Sequence, residues 1–142
     1  MMSLFQQKKL ERLQANKEQG QQFLSENAKR EGVITLPSGL QYEVVKMGEG
    51  SKPVITDKVK VHYKGTLIDG KEFDSSYKRG TPLEFRVNGV IKGWVEALLL
   101  MPAGSIWKLY MPSELAYGDQ QAGPLITPGS TLVFDVELLE VK

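Results

Sequence analysis

Along most of this chain apolar and polar side chains alternate with a period of two, and near its start the spacing becomes helical. Leu40, Tyr42 and Val44 alternate with Gln41 and Glu43. Val59, Val61 and Tyr63 alternate with Lys58, Lys60, His62 and Lys64, and Leu132, Phe134, Val136 and Leu138 with Thr131, Asp135 and Glu137. Successive strand side chains point to opposite faces, so each run predicts a strand with one buried and one wet face, the habit of an antiparallel sheet. Val33-Ile34-Thr35-Leu36 before the turn Pro37-Ser38-Gly39 predicts a short strand, and Leu83 to Val87 and Ile106 to Met111 add two more. Asp69-Gly70, between Leu67 and Phe73, is a hairpin dipeptide, because glycine readily takes the positive φ such turns need.

From Ser3 to about Glu31 the chain is rich in Gln, Lys, Glu, Arg, Leu and Ala, all helix formers, with no proline and one interruption at Gly20. Leu10 and Leu13 share a face, as do Phe23 and Asn27, but the apolar positions are too sparse for a heptad seam. A solvated helix is predicted, with Glu26 and Arg30 at ion-pair spacing and Gly32 as its end. One later helix suffices, Trp94 to Met101, stopped by Pro102 and carrying Trp94, Leu98 and Met101 on one face to lie across the sheet. The class is α+β, with residues 1–32 as a helical arm or linker and 33–142 as the domain.

At 142 residues the chain has room for one domain plus an appendage. Eighteen basic and seventeen acidic residues leave a charge of +1, which gives no field toward nucleic acid or an anionic membrane. With no cysteine and one histidine, disulfides, thiolate catalysis, zinc sites and the usual triads are set aside, and neither a cofactor nor a metal is expected. His62 shares the lysine-bearing face of its strand and reads as a surface residue. No signal peptide or membrane span is legible, so the reading is a soluble protein, cytoplasmic or periplasmic.

What remains is a set of short blocks that place aromatic or branched residues beside single polar ones, the makeup of a greasy pocket with few polar groups. They are Val61-His62-Tyr63-Lys64-Gly65-Thr66-Leu67, Gly70-Lys71-Glu72-Phe73-Asp74-Ser75-Ser76, Val90-Ile91-Lys92-Gly93-Trp94, Glu114-Leu115-Ala116-Tyr117-Gly118 and Thr131-Leu132-Val133-Phe134-Asp135-Val136-Glu137-Leu138. Singly, each aromatic reads more readily as core, and Trp107, Phe85 and Tyr110 are placed there. Asp74 alone would be a turn residue and Arg79 a surface charge. Together and in this order the blocks, from about Leu36 to Lys142, resemble the FKBP-type peptidyl-prolyl cis-trans isomerases. The preceding helix and Leu36-Pro37-Ser38-Gly39-Leu40-Gln41-Tyr42 resemble the bacterial branch that includes the macrophage infectivity potentiator proteins.

The resemblance implies a curved antiparallel sheet wrapped on one short helix and catalysis of proline-bond rotation in protein folding. It assigns Tyr63, Phe73, Asp74, Tyr117 and Phe134 to catalysis. Substrate binding falls to Arg79, Leu83, Phe85, Val90, Ile91, Trp94, Ala116, Leu125 and Ile126. Trp94 lies beneath the proline ring, Asp74 forms a polar flank paired with Arg79, the Tyr117 hydroxyl and Ile91 amide donate to ligand carbonyls, and Leu125 and Ile126 form an apolar flap. Leu83 and Gly89 depart from relatives that often carry an aromatic and an acidic residue, and Ala122 stands where some have histidine. Implied partners are proline-containing polypeptides, tacrolimus- or rapamycin-like macrolides and, in a longer natural chain, a second copy. Two rival readings stay open. One is a proline-peptide binding module or holdase chaperone with the same cavity, and the other is a protein whose helical arm is the functional, dimerising part.

Overall fold

A computed structural model of the chain describes residues 2–142. It contains α1 (Leu4–Asn27), β1 (Val33–Thr35), β2 (Gln41–Lys46), β3 (Lys58–Leu67), β4 (Glu72–Ser75), α2 (Ser76–Arg79), β5 (Leu83–Arg86), α3 (Lys92–Leu98), β6 (Ile106–Met111) and β7 (Leu132–Val141). The strands form one antiparallel sheet in the order β1-β2-β6-β7-β3-β4, and β5 joins β3 beyond the end of β4. Its spine is the β3/β7 pair, two ten-residue strands matched from Val59 opposite Val141 to Leu67 opposite Leu132 with one register shift between Lys60 and Val61.

The two-residue period works as expected on one face. Val59, Val61, Leu132, Val136 and Leu138 are fully buried, and with Leu109 they pack against Ala97 and Leu98 of α3. The Asp69-Gly70 signal forms the β3–β4 hairpin, in which Gly70 takes φ +91° and Leu67 and Lys71 pair across the turn at 2.9 Å.

The other face departs from the reading of the sequence. Gln41, expected to be wet, is 3% exposed because α1 lies on this side of the sheet. Asn27 donates to the Gln41 side-chain oxygen at 2.8 Å, and the Gln41 amide donates to the Leu24 carbonyl at 2.9 Å. Thr131, Val133 and Tyr110 are buried as well. The close approach requires Gly20, where an added Cβ would stand 2.1 Å from Thr131 Oγ1, so the helix runs through this glycine unbroken. On the exposed outer side α1 is solvated as predicted, and Ser3 caps it with Gln6 in a reciprocal capping box. Val44, expected to face the core, is 37% exposed next to an irregularity in the β2/β6 register.

Element ends also differ. α1 stops at Asn27, so the Glu26–Arg30 pair does not form. Glu26 meets Lys29 at 3.5 Å, while Arg30 turns inward to Glu43 at 2.9 Å and to the Tyr110 hydroxyl at 2.8 Å. The later helix begins two residues earlier than Trp94 and ends at Leu98, and the chain turns through Leu99–Met101 before Pro102. A further helical turn, α2, is held by the Ser75 side chain at its start and by Gly80 at φ +74° at its end. Four residues are too few to show a helical period.

Candidate functional site

β3 pairs with β4 through Lys64 opposite Ser75 and with β5 through Val61 opposite Leu83, and between β4 and β5 the chain forms α2 in place of a continuous strand. This split opens a cavity of about 280 Å³. Tyr63 and Phe134 enter from the paired strands β3 and β7, Phe73 and Asp74 from β4, and Leu83 from β5. Gly89, Val90 and Ile91 come from the segment before α3, Trp94 from α3 itself, and Tyr117 from the loop after β6.

The walls are aromatic and mutually perpendicular. Trp94 stands T-shaped to Tyr63 at 5.2 Å and 81° and to Phe134 at 5.3 Å and 88°. Phe73 meets Phe134 at 5.6 Å and 89°. Edge-to-face rings lock one another's rotation and leave flat faces toward the hollow. Tyr63, Trp94 and Phe134 are almost wholly buried, whereas Tyr117 and Leu83, each 41% exposed, stand at the mouth. Gly65 makes room for this stack, because a Cβ there would lie 2.5 Å from Phe73 Cζ and 2.9 Å from Phe134 Cε1. Trp94 Nε1 is buried without a hydrogen-bond partner among the described residues.

The polar side of the cavity is one connected group. The Tyr63 hydroxyl donates to Asp74 Oδ2, Arg79 donates to Asp74 Oδ1, and Arg79 Nη2 donates to the Tyr63 oxygen at 3.0 Å. The guanidinium also lies 5.6 Å from the centre of the Tyr63 ring. Burial pushes the Asp74 carboxyl up, but the hydrogen bonds from Tyr63 and Arg79 and the Arg79 charge outweigh it and hold the group below the ordinary aspartate value. The Tyr63 hydroxyl is raised, first by burial and then by its bond to the carboxylate. The cavity therefore offers an ionised acceptor whose charge is largely answered, a neutral phenol and apolar surface.

Arg79 stands outside the lining and reaches it through Asp74 and Tyr63. Phe85 packs behind Trp94 at 5.7 Å and Ala116 against the core. The expected flap does not cover the opening. Ile126, bridged to Ala122, is buried in the core, and its neighbour Leu125, 38% exposed, lines a separate hollow of about 230 Å³ beside Arg12, Asn16 and Gln19. Gly89, absent from the assigned set, lines the cavity with backbone, which leaves no side-chain signal in the sequence. His62 faces away from the cavity as parity requires, but it is half-buried and bonded to Ser76.

A hollow of about 610 Å³ under α1 is larger, but its Arg30 and Glu43 already pair with each other at 2.9 Å. Among the described residues no group of three or more His, Cys, Asp or Glu could hold a metal ion, and no helix is long and apolar enough to cross a membrane.

Comparison with known proteins adds independent findings. Residues 49–139 match the profile of the FKBP-type peptidyl-prolyl cis-trans isomerase family, and residues 1–44 match that of the domain amino-terminal to it. The chain is 60% identical over 131 residues to the FKBP-type 22 kDa peptidyl-prolyl cis-trans isomerase of Escherichia coli, covering 92% of this chain and 64% of that protein. It is 51% identical over 127 residues to the outer membrane protein MIP of Legionella longbeachae, covering 89% of this chain and 54% of that one. The crystal structure of FkpA from Escherichia coli superposes with a TM-score of 0.93 at 52% identity, over 96% of this chain and 64% of that one. A Pseudomonas syringae peptidyl-prolyl cis-trans isomerase superposes with a TM-score of 0.84 at 40% identity, over 91% and 95%. The chain thus spans between about half and two thirds of the length of these two curated relatives.

Proposed function

The chain belongs to the FKBP-type peptidyl-prolyl cis-trans isomerases, and from that membership we propose that it accelerates rotation about Xaa-Pro bonds, taking the proline ring into the aromatic cavity above Trp94. The observation that carries this reading is the cavity wall itself: four rings in three near-perpendicular contacts around a hollow of about 280 Å³ with one polar edge.

Rotation of the bond crosses a barrier of ~18–20 kcal/mol because resonance is lost at the twisted geometry, yet no covalent bond is made or broken. No nucleophile is required. A planar tertiary amide is strongly dipolar and well hydrated, whereas the twisted amide has given up that resonance. A site that strips water therefore penalises the ground state more than the transition state, so the barrier falls. Val90, Ile91, Trp94 and Phe134 exclude the water, while Tyr63, Phe73, Asp74 and Tyr117 face the amide. The Ile91 amide, which has no backbone acceptor among the described residues, and the Tyr117 hydroxyl orient the flanking carbonyls. Arg79 keeps Asp74 ionised and in place.

On this reading the substrates are proline-containing polypeptides, the cavity also accepts tacrolimus-like macrolides, and residues 1–32 serve as an arm to the isomerase domain of 33–142. The arm supports a second copy in longer chains. Exchange spectroscopy on a proline peptide with substoichiometric protein tests the activity. Faster cis-trans exchange that tacrolimus abolishes is expected, and binding without faster exchange would reduce the protein to a proline-peptide binding module.

A further inference from the structure

Tyr63 sits at the break in the sheet where neither β4 nor β5 supplies a strand partner on that side of β3. A side chain does instead. The hydroxyl of Ser76, a residue with no exposed surface, accepts from the Tyr63 N–H at 2.6 Å and donates to the Tyr63 carbonyl at 3.2 Å. One oxygen thus completes both backbone groups that a neighbouring strand would have satisfied. His62 Nδ1 lies 2.8 Å from the same oxygen, and its ring stacks on Tyr77 at 4.7 Å and 14°. A hydroxyl has one proton, so either His62 Nδ1 donates to the oxygen while the hydroxyl serves the Tyr63 carbonyl, or the hydroxyl donates to Nδ1; with either tautomer the imidazole holds the oxygen in place.

Ser76 is also the first residue of α2, the turn whose last residue is Arg79, and it lies two residues from Asp74. One buried oxygen therefore fixes the distance between β3 and the segment bearing both partners of the Tyr63 hydroxyl. We infer that Ser76, held in turn by His62, is a positioning residue of the isomerase, setting the Tyr63–Asp74–Arg79 triangle against the twisting amide without touching substrate. The inference rests on the isomerase reading above for its consequence, though not for its geometry.

The test uses the full chain, isotope-labelled, as wild type, Ser76→Ala, His62→Phe and Leu40→Val, the last a mild core truncation outside the cavity. Ser76→Ala is expected to displace the Tyr63 amide resonance and to move the Asp74 carboxyl titration up toward an ordinary aspartate. It should also lower kcat about tenfold, because a buried donor and acceptor lose their shared partner, with KM within about twofold since the apolar walls stay. His62→Phe keeps the stack on Tyr77 but lacks the Nδ1 contact, and should move all three readouts the same way by less. Leu40→Val should move none. A folded Ser76→Ala with unchanged Tyr63 amide and Asp74 titration overturns the inference, as does Leu40→Val reproducing the fall in kcat. Should Ser76→Ala not fold, His62→Phe decides alone, and an unmoved amide and kcat overturn it. A wild type that does not accelerate exchange defeats the isomerase reading and leaves the two spectroscopic readouts to judge this one.

Discussion

Gly65→Ala tests the cavity from underneath. The new methyl would meet Phe73 Cζ at 2.5 Å and Cε1 at 2.7 Å, and Phe134 Cε1 at 2.9 Å. Carbon atoms rest at about 3.5–4.0 Å, so the Phe73 ring must withdraw by about 1 Å or more. Phe134 has less freedom to yield, being 3% exposed and wedged between Phe73 and Trp94. Overpacking of this kind costs about 1–3 kcal/mol. Because Gly65 is not among the glycines with positive φ, alanine fits the backbone and returns about 0.4–1 kcal/mol through the unfolded chain. The expected net loss is up to about 2.5 kcal/mol, read as a lower urea midpoint at unchanged slope. Activity should fall much further, by up to about a hundredfold in proline-limited refolding, since a wall displaced by about 1 Å no longer fits the twisted amide. Adding Phe73→Leu, which frees space at the point of conflict, should recover stability relative to Gly65→Ala alone. Wild-type turnover and stability in Gly65→Ala would refute the packing argument outright.

Phe134→Ala removes the ring shared by Phe73 and Trp94 and should cost about 3–5 kcal/mol along with most activity, measured together by denaturation and exchange spectroscopy. Asp74→Asn should spare the fold and cut turnover several-fold, and unchanged turnover would show the carboxylate to be structural. In the wild type, the Asp74 carboxyl lies below its unfolded value, so its contribution to stability is present above about pH 4 and is lost as pH falls through the lower folded value. Tyr77 and Tyr110 are pushed up to about 12, by burial first and then by Glu137 and Glu43 respectively. Their stabilising effect is complete below the unfolded value of about 10 and disappears between there and about 12. Melting temperature should fall across that window, and a flat profile through it would contradict the buried, hydrogen-bonded placement of both hydroxyls.

The sheet was legible because one face is packed by α3 and the core, which forces strict alternation in β3 and β7. The burial of Gln41 was not, since α1 covers the second face with polar contacts and a glycine, and a buried Asn27–Gln41 pair resembles solvated sequence. The end of α1 is likewise set by Asn27 and Arg30 reaching the sheet, a tertiary cause that local propensity does not contain. The aromatic residues could be grouped only through their resemblance to a family, since a ring on an inward strand face has the same spacing whether it fills the core or lines a hollow. Where Leu125 would lie could not be read from the sequence, because the course of this loop is set by tertiary contacts such as the bridge from Ala122 to Ile126 rather than by a strand or helix period.

The borders of the sheet bear on the company this protein keeps. One margin is a three-residue strand and the other is shared by two four-residue strands with a helical turn between them. A long straight margin recruits unpaired strands of other chains by backbone pairing. Margins this short and interrupted leave an unpaired strand little to zip onto, so on the proposed isomerase reading a proline-bearing chain would meet the cavity without being captured along the sheet edge.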